Sequence, residues 1–490
     1  VLDGDSDCYE HAWHFWWGGY AVSRGLDPRF CPLLGLPPGE AVVTKNIGWP
    51  DAILFGLATG GRAAGALWGA VTFGTLMAFI GGWAFARSWG LRGFAAAAAG
   101  FVFAWAPSRT AHMLQHYQIA SMGWTALALA SAKVLLDRGG RAAFAGLLSC
   151  TLIAGMESPY HLLLVGAGIA ATLVATPRVP IRRTIAAFTA AASGAGATAA
   201  FFLGTPGGFP DSSLDWREAV VYSAEPQSFL LPSPFGLAAQ LAGIPARYSW
   251  MTNAFEGVVT TGSTVLLLSV LAIRRSPYRR LLWVALGFCV LALGPELRFL
   301  GRPLGIPLPF RLLQLGPLLS WVRSPSRFAM AAALFASVPA AWLLGSLRRP
   351  ARIAAGAALV LELFVPVIPT LPGRIPSFYT AANDRSEVVL EIPASPRILR
   401  YALFQTSDCR PRPVFFVPRG DLALPAGLEP FSIDSRSAVD SSDALETRVD
   451  ILVYNRWLLH GDDRELFDGL YAGIFGETSP GDSILVWRRP

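Results

Sequence analysis

The stretch AAGALWGAVTFGTLMAFIGGWAFAR, residues Ala63–Arg87, carries no charge until its last residue. A helix crossing a bilayer needs about 20 mostly apolar residues, and this run supplies them. Its Gly and Ala side chains also let helices approach closely inside a bilayer. The whole chain shares this character. Of its 490 residues, 53% are apolar and 15% are charged, against about 25% charged in an ordinary soluble domain. That balance excludes a soluble multi-domain enzyme, and the apolar content excludes a disordered chain.

Nine further runs read the same way. With the first taken as 63–87, the set continues as 92–107, 117–136, 141–156, 160–177, 184–204, 258–273, 281–295, 327–346 and 352–369. The fold class expected is mainly α, a polytopic bundle of about ten transmembrane helices. The net charge of +7 is nearly all Arg, because Lys45 and Lys133 are the only lysines. Those Arg residues sit in short loops between apolar runs, so no nucleic-acid partner is expected. Alternate loops carry Arg87 and Arg92; Arg138 and Arg141; Arg178, Arg182 and Arg183; Arg274, Arg275, Arg279 and Arg280; and Arg348, Arg349 and Arg352. Cytoplasmic loops collect basic residues, which assigns these five to the cytoplasm and the chain to the cytoplasmic (inner) membrane as a multi-pass protein.

Three regions follow from that topology. Residues 1–51 form a first extracytoplasmic loop, with an acidic motif and an interfacial helix. Residues 52–370 form the helical membrane domain, with external loops at 205–257 and 296–326. Placing 1–51 outside calls for one more transmembrane helix ahead of Val1, which makes eleven. Residues 371–490 change character: from 370 onward 17 acids stand against 13 Arg. The short runs 387–392, 413–417, 449–454 and 483–487 read as strands and 464–475 as a helix. A small extracytoplasmic α/β domain is expected there. Cys8 and Cys31 share the first loop, where a disulfide is open to them. No Cys spacing suits a metal.

The six His residues, His11, His14, His112, His116, His161 and His460, all fall on the side away from the Arg loops or at a helix end facing it. Asp7, Glu10, His11 and His14 stand at i, i+3, i+4 and i+7, one polar stripe of a helix. Trp13, Trp16, Trp17 and Tyr20 run beside it, which suits a helix lying at headgroup depth. Asp5 and Asp7 at its start are candidates for a general base. They also suit a divalent cation, with His11 as a further ligand, although no cofactor is certain. Burial near other acids would raise their pKa. The same residues equally suit a structural role, Asp5 or Ser6 capping the helix and Asp7 complementing its dipole. Arg109, His112 and His116 at i, i+3 and i+7 suit either a phosphate or a solvated loop. Arg323 and Arg327 precede a helix, where guanidinium forks and free N–H groups make an anion site, or a pair of headgroup anchors. The chain has no phosphate-binding glycine loop, no dinucleotide fingerprint, no His-Glu-x-x-His and no nucleophile elbow. Charge within the apolar runs is scarce, Lys133 and Glu362 being examples, which argues against an ion-coupled transporter.

An ordered set of motifs resembles the GT-C superfamily of polytopic glycosyltransferases, and more narrowly its YfhO-like, uncharacterised bacterial branch. The set comprises Gly4-Asp5-Ser6-Asp7 leading to Trp16-Trp17; Pro37-Pro38-Gly39 with Asn46 and Pro50; Tyr222-Ser223-Ala224 to Leu231-Pro232; Leu293-Gly294-Pro295 with Ile306 to Phe310; and Arg323-Ser324-Pro325-Ser326-Arg327-Phe328. The resemblance implies transfer of a sugar from a polyprenyl-phosphate donor to a lipid, glycan or protein acceptor on the extracytoplasmic face. It implies that Asp5 or Asp7 is the catalytic acid–base residue, with Asp5 preferred. It implies substrate contacts from His11, His14, His116, Tyr222, Glu256, Arg323 and Arg327, the two Arg residues holding the departing lipid phosphate. A lipid or glycan transporter and a non-catalytic membrane assembly protein are the alternatives. A transferase requires Asp5, Asp7, His116, Arg323 and Arg327 to converge; a scaffold leaves them dispersed.

Overall fold

A computed structural model gives the fold. It describes residues 7–35, 39–42, 48–113, 115–203, 216–243, 254–315, 322–366, 375–381, 386–395, 398–414, 424, 428–435, 438–439, 449–475 and 483–489. Asp5 lies outside the described residues.

Two helices, α1 (Asp7–Ser23) and α2 (Trp49–Ala58), precede the bundle. Each of the ten apolar runs then carries a helix: α3 (Ala63–Ser88), α4 (Gly93–Ala104), α5 (Gly123–Arg138), α6 (Arg141–Glu157), α7 (Pro159–Ala175), α8 (Ile181–Leu203), α9 (Ser263–Ala272), α10 (Arg279–Ala292), α11 (Phe328–Ser346) and α12 (Arg349–Leu363). The apolar helices mark a membrane protein. Among the described residues, four stretches are long and apolar enough to cross a bilayer: Ala63–Ser88, Tyr117–Arg138, Ile181–Leu203 and Pro325–Ser346. The second adds the single turn Tyr117–Ala120 to α5, and the fourth adds the 3-10 turn Pro325–Arg327 to α11. The other six run 10 to 17 residues. At about 1.5 Å per residue they fall short of a core of about 30 Å as helices alone. Some apolar runs, 92–107 and 281–295 among them, extend past their helices because turn residues cut them. Pro107 follows α4, and Gly294-Pro295 ends the segment after α10.

Successive helices reverse direction, so the Arg turns gather at one end. Contacts between those turns bear this out. Arg183 donates to the Leu136 carbonyl at 3.3 Å, and Arg352 lies 5.8 Å from the Phe94 ring. The helix α11 sits centrally, with nearly all of its residues buried against α4, α9 and α10. Phe335 meets Phe85 edge-on at 5.2 Å and stacks on Phe288 at 5.5 Å. Such ring pairs add about 0.5–1.5 kcal/mol beyond burial. Elsewhere close approach replaces bulk: a Cβ at Gly123 would lie 2.4 Å from the Met77 carbonyl carbon. At the far end, Ser158 caps α7 by accepting from the Tyr160 N–H at 3.3 Å, with Pro159 in the first helical position.

The helix α1 is buried in protein rather than laid out as an interfacial stripe. Trp13, Phe15, Trp16 and Trp17 are each 3% exposed or less. The cause is a close crossing with α2, where a Cβ at Gly56 would sit 2.2 Å from the Phe15 carbonyl oxygen. A second cause is α13 (Arg400–Asp408), on the other side of α1. Gln405 of that helix accepts from Trp13 Nε1 at 2.7 Å and donates to the Leu33 carbonyl at 2.9 Å. All five cysteines are free thiols, Cys8 and Cys31 included.

A hairpin of β1 (Glu296–Phe299) and β2 (Arg302–Pro307) follows α10. Arg298 anchors it by donating to the carbonyls of Val220 at 2.9 Å and Gly301 at 3.0 Å. Near the C-terminus, β3 (Val389–Ile392) pairs parallel with β4 (Ile451–Tyr454), which pairs antiparallel with β5 (Leu485–Arg488). Strand residues alternate between faces. Val389, Ile451 and Val453 face the core shared with α1 and α13. Leu390, Ile392, Leu452 and Tyr454 face Phe467 on α14 (Asp462–Leu470) and Tyr471. With both faces covered, β3 and β4 are wholly buried. The run 413–417 is not a strand where described: Val414 lies in a bend.

Candidate functional site

Polar side chains collect at the bundle end opposite the Arg turns. Asp7 begins α1. His112 and His116 lie in the segment joining α4 to α5. Glu256 occupies the single turn Ala254–Gly257 ahead of α9, and Ser324–Arg327 lead into α11. The chain bends back at 107–116 because Pro107 starts a one-turn helix, and the His116 N–H then donates to the His112 carbonyl at 2.9 Å. That turn brings the two imidazoles together.

The side chains form a line of contacts. His116 Nε2 is 3.2 Å from Asp7 Oδ2. His116 Nδ1 is 2.9 Å from His112 Nδ1. His112 Nε2 is 3.8 Å from Glu256 Oε2. Glu256 then accepts from Arg327 Nε at 3.0 Å, Arg327 Nη2 at 2.6 Å and Ser326 Oγ at 2.6 Å.

Proton bookkeeping constrains this line. Two contacts, Asp7 to His116 and His116 to His112, are short enough for hydrogen bonds. Two neutral imidazoles supply the two hydrogens. With both bonds made, the His112 Nε2 lone pair faces Glu256 Oε2 across 3.8 Å. A proton or a metal ion between those two atoms would relieve that facing pair. The nearest ligand atoms of His112, His116 and Glu256 lie within 4.8 Å of one another. Two imidazole nitrogens with a carboxylate oxygen suit a divalent transition ion such as Zn²⁺ or Mn²⁺ better than Ca²⁺. These residues fit such an ion.

The electrostatics agree. Burial pushes His112 down to about 3 against the pull of Glu256, which keeps the imidazole neutral. Burial likewise carries His11 down to about 4. Glu256 is held well below the carboxylate range: burial opposes ionisation, but the Arg327 guanidinium prevails. Asp7 is also lowered, since its burial is outweighed by the hydrogen bond and charge of His116. The expected rise from neighbouring acids does not occur. Among the described residues, the group against its carboxylate is an imidazole.

The candidates divide into those the fold unites and those it does not. Asp7, His116, Glu256 and Arg327 share the line of contacts. Arg323 stands at its edge, paired with Glu218 at 3.0 Å and 5.2 Å from the Tyr222 ring. Its backbone N–H and that of Ser324 both donate to Tyr160 Oη at 3.2 Å. Arg327 is committed to Glu256, because a buried guanidinium needs a counter-charge; it positions that carboxylate. His11 Nε2 contacts the Gln115 carbonyl at 3.2 Å, and His14 Nδ1 contacts the Glu10 carbonyl at 2.9 Å within its own helix. Arg109 spends its donors on the carbonyls of Ala104 and Ala120 and on Thr75, so it is structural. His112 was legible only as half of a His-x-x-x-His pair. Glu256, 144 residues on, stood among the substrate contacts that the resemblance implied, but its pairing with His112 was not legible.

No family model matches the chain, and no curated protein matches it. Similar solved structures include those of two proteins. The arabinofuranosyltransferase AftD from Mycobacteria gives a TM-score of 0.49 at 16% identity, over 93% of this chain and 36% of that one. The oligosaccharyltransferase AglB from Archaeoglobus fulgidus, in complex with an inhibitory peptide and a dolichol-phosphate, gives 0.43 at 12%, over 97% of this chain and 68% of that one. The chain thus spans about a third of the length of the AftD chain. At these scores neither likeness assigns a function or a site to this protein.

Proposed function

We propose that this protein is an integral membrane glycosyltransferase of GT-C type, moving a sugar from a polyprenyl-phosphate-linked donor to a lipid, glycan or protein acceptor. The observation that carries the reading is the line of side chains from Asp7 through His116 and His112 to Glu256 and Arg327. It stands at one end of an apolar helical bundle, away from every Arg turn. A carboxylate–imidazole pair, a site for a divalent cation and a half-buried guanidinium, that of Arg323, which can exchange Glu218 for phosphate, are what a lipid-phosphate leaving group and a hydroxyl acceptor require. The site faces the extracytoplasmic side of the inner membrane, as does the C-terminal sheet domain, and the chain falls in the YfhO-like branch.

In the reaction, the acceptor oxygen bonds to the anomeric carbon as the bond from that carbon to the phosphate oxygen breaks. The phosphate leaves with the bonding electron pair. The acceptor's proton passes to Asp7, whose carboxylate is oriented by His116; Asp5 is the second candidate for that role. Arg323 meets the charge growing on the phosphate, a form of stabilisation worth several kcal/mol at preorganised sites. A divalent cation held by His112, His116 and Glu256 would add to that stabilisation. Arg327 and Ser326 fix Glu256.

The test is transfer from a panel of labelled polyprenyl-phosphate sugars, with the protein in liposomes containing cell-envelope lipid extract. Asp5→Asn, Asp7→Asn and His116→Gln are assayed alongside. Loss of transfer in Asp7→Asn, with folding intact, supports the assignment. Transfer that survives both Asp substitutions removes the base from this site. Absence of transfer from every donor favours transport or scaffolding.

A further inference from the structure

The Arg-bearing end holds a feature that glycosyl transfer does not use. A cleft of about 560 Å³ opens between α3, α4, α5 and the start of α6. Arg87, Arg92 and Arg138 line it, together with Trp83, Ser131 and Val134. Asp137 is the one carboxylate in its wall, and it is already ion-paired with Lys133. Among the described residues, none of the three guanidiniums has a carboxylate partner. Arg87 lies 5.8 Å from the Trp83 ring, which is 41% exposed beside Val134 at 36%.

Depth decides the ligand class. Both α3 and the Tyr117–Arg138 stretch are long and apolar enough to cross the bilayer, which sets Arg87 and Arg138 at headgroup level. Three uncompensated guanidiniums match phosphate oxygens in geometry and charge. The exposed Trp83 and Val134 wall runs from them toward the bilayer core, where an acyl chain lies. A free phosphate would use the guanidiniums and leave that wall idle. Basic clefts between membrane helices are suited to anionic headgroups. We propose that this cleft binds an anionic glycerophospholipid, its phosphate on Arg87, Arg92 and Arg138 and one acyl chain along Trp83 and Val134.

The test is native mass spectrometry of the full chain in detergent micelles, titrated separately with dioleoylphosphatidylglycerol, dioleoylphosphatidylcholine and inorganic phosphate. Wild type is expected to retain phosphatidylglycerol in preference to phosphatidylcholine, with millimolar phosphate failing to displace it. At about fivefold per charge, the triple Arg→Gln variant should weaken retention by roughly a hundredfold. The triple Arg→Lys variant should keep most of it, which covers the case in which the Gln variant does not fold. Trp83→Ala should weaken lipid but not phosphate binding. Arg274→Gln/Arg275→Gln, at another Arg turn, should change nothing. Equal retention of the two lipids overturns the proposal, as does an equal loss in the Arg274/Arg275 control. Displacement by phosphate also overturns it and marks a site for the free anion.

Discussion

Replacing Glu256 with Gln tests the centre of the site most directly. The carboxylate is 3% exposed and accepts three charge-assisted hydrogen bonds from Arg327 and Ser326. Each such bond is worth about 1.5–3 kcal/mol, but all three share one carboxylate and do not add. The larger cost is the guanidinium left buried without a counter-charge, about 3–5 kcal/mol for a broken internal pair. The expected loss is therefore about 3–5 kcal/mol, read from reversible unfolding in mixed micelles by tryptophan fluorescence. Replacing both partners with apolar side chains, Glu256→Leu/Arg327→Met, removes the unpaired charge and should recover most of that loss. The sign of the pH effect is also fixed. Because the folded pKa is depressed, the contribution is present above the ordinary value of 4.5 and is lost only as pH falls through the lowered one. A loss below about 1 kcal/mol for Glu256→Gln would make the pair no better than a surface one and refute this reasoning. So would a double variant that loses the sum of the singles.

Other perturbations separate the parts. His11 is carried down to about 4 when folded, against 6.5 otherwise. Between those values the unfolded chain binds the extra proton, so stability should fall on acidification by up to about 1.4 kcal/mol per pH unit. His11→Gln should remove its own share of that slope in pH-dependent unfolding, leaving the share of His112. Gly56→Leu forces apart the crossing of α1 and α2, at about 1–3 kcal/mol for overpacking. Because α1 carries Asp7, transfer should drop more than the thermal midpoint suggests. Gln405→Leu leaves Trp13 Nε1 without its acceptor, while the Leu33 carbonyl keeps the Arg412 N–H, at about 1–3 kcal/mol for one buried group left unsatisfied, measurable by chemical unfolding. If His112, His116 and Glu256 hold a divalent ion, chelation should lower the melting temperature and re-addition of Mn²⁺ or Zn²⁺ should restore it. Glu256→Gln should be insensitive to both.

The helices were legible because an apolar run between Arg turns has few other solutions. Their lengths were not: Pro107 and Gly294-Pro295 stop helices inside runs that hydropathy alone extends. The aromatic residues of α1 show the deeper limit. Trp13 and Trp17 at headgroup depth and Trp13 and Trp17 in a protein core require the same local pattern. What decides between them is α13, almost four hundred residues along the chain. Arg327 is a parallel case. Next to a helix start it reads as an anion site, and only the approach of Glu256 turns it inward. His112 and His116 were within reach, since an i, i+4 pair of imidazoles is a spacing that two-ligand sites use. The low pKa of Asp7 was not, because it depends on an imidazole brought in by a separate segment.

The bond from Trp13 to Gln405 spans 392 positions. The Arg412 N–H donates to the Leu33 carbonyl beside it, at 2.8 Å. The segment that bears Asp7 is thus held by residues made late in synthesis. Contacts this distant pay their loop-closure entropy before they return any stability. On the ribosome, the bundle helices can pair with their neighbours as they emerge, and α1 can cross α2, but α13 closes over α1 only after residue 400 is made. A chain cut short before residue 400 keeps most of its apolar helices and loses the clamp on its acid. Synthesis of α13 is in this sense a licence for chemistry at α1.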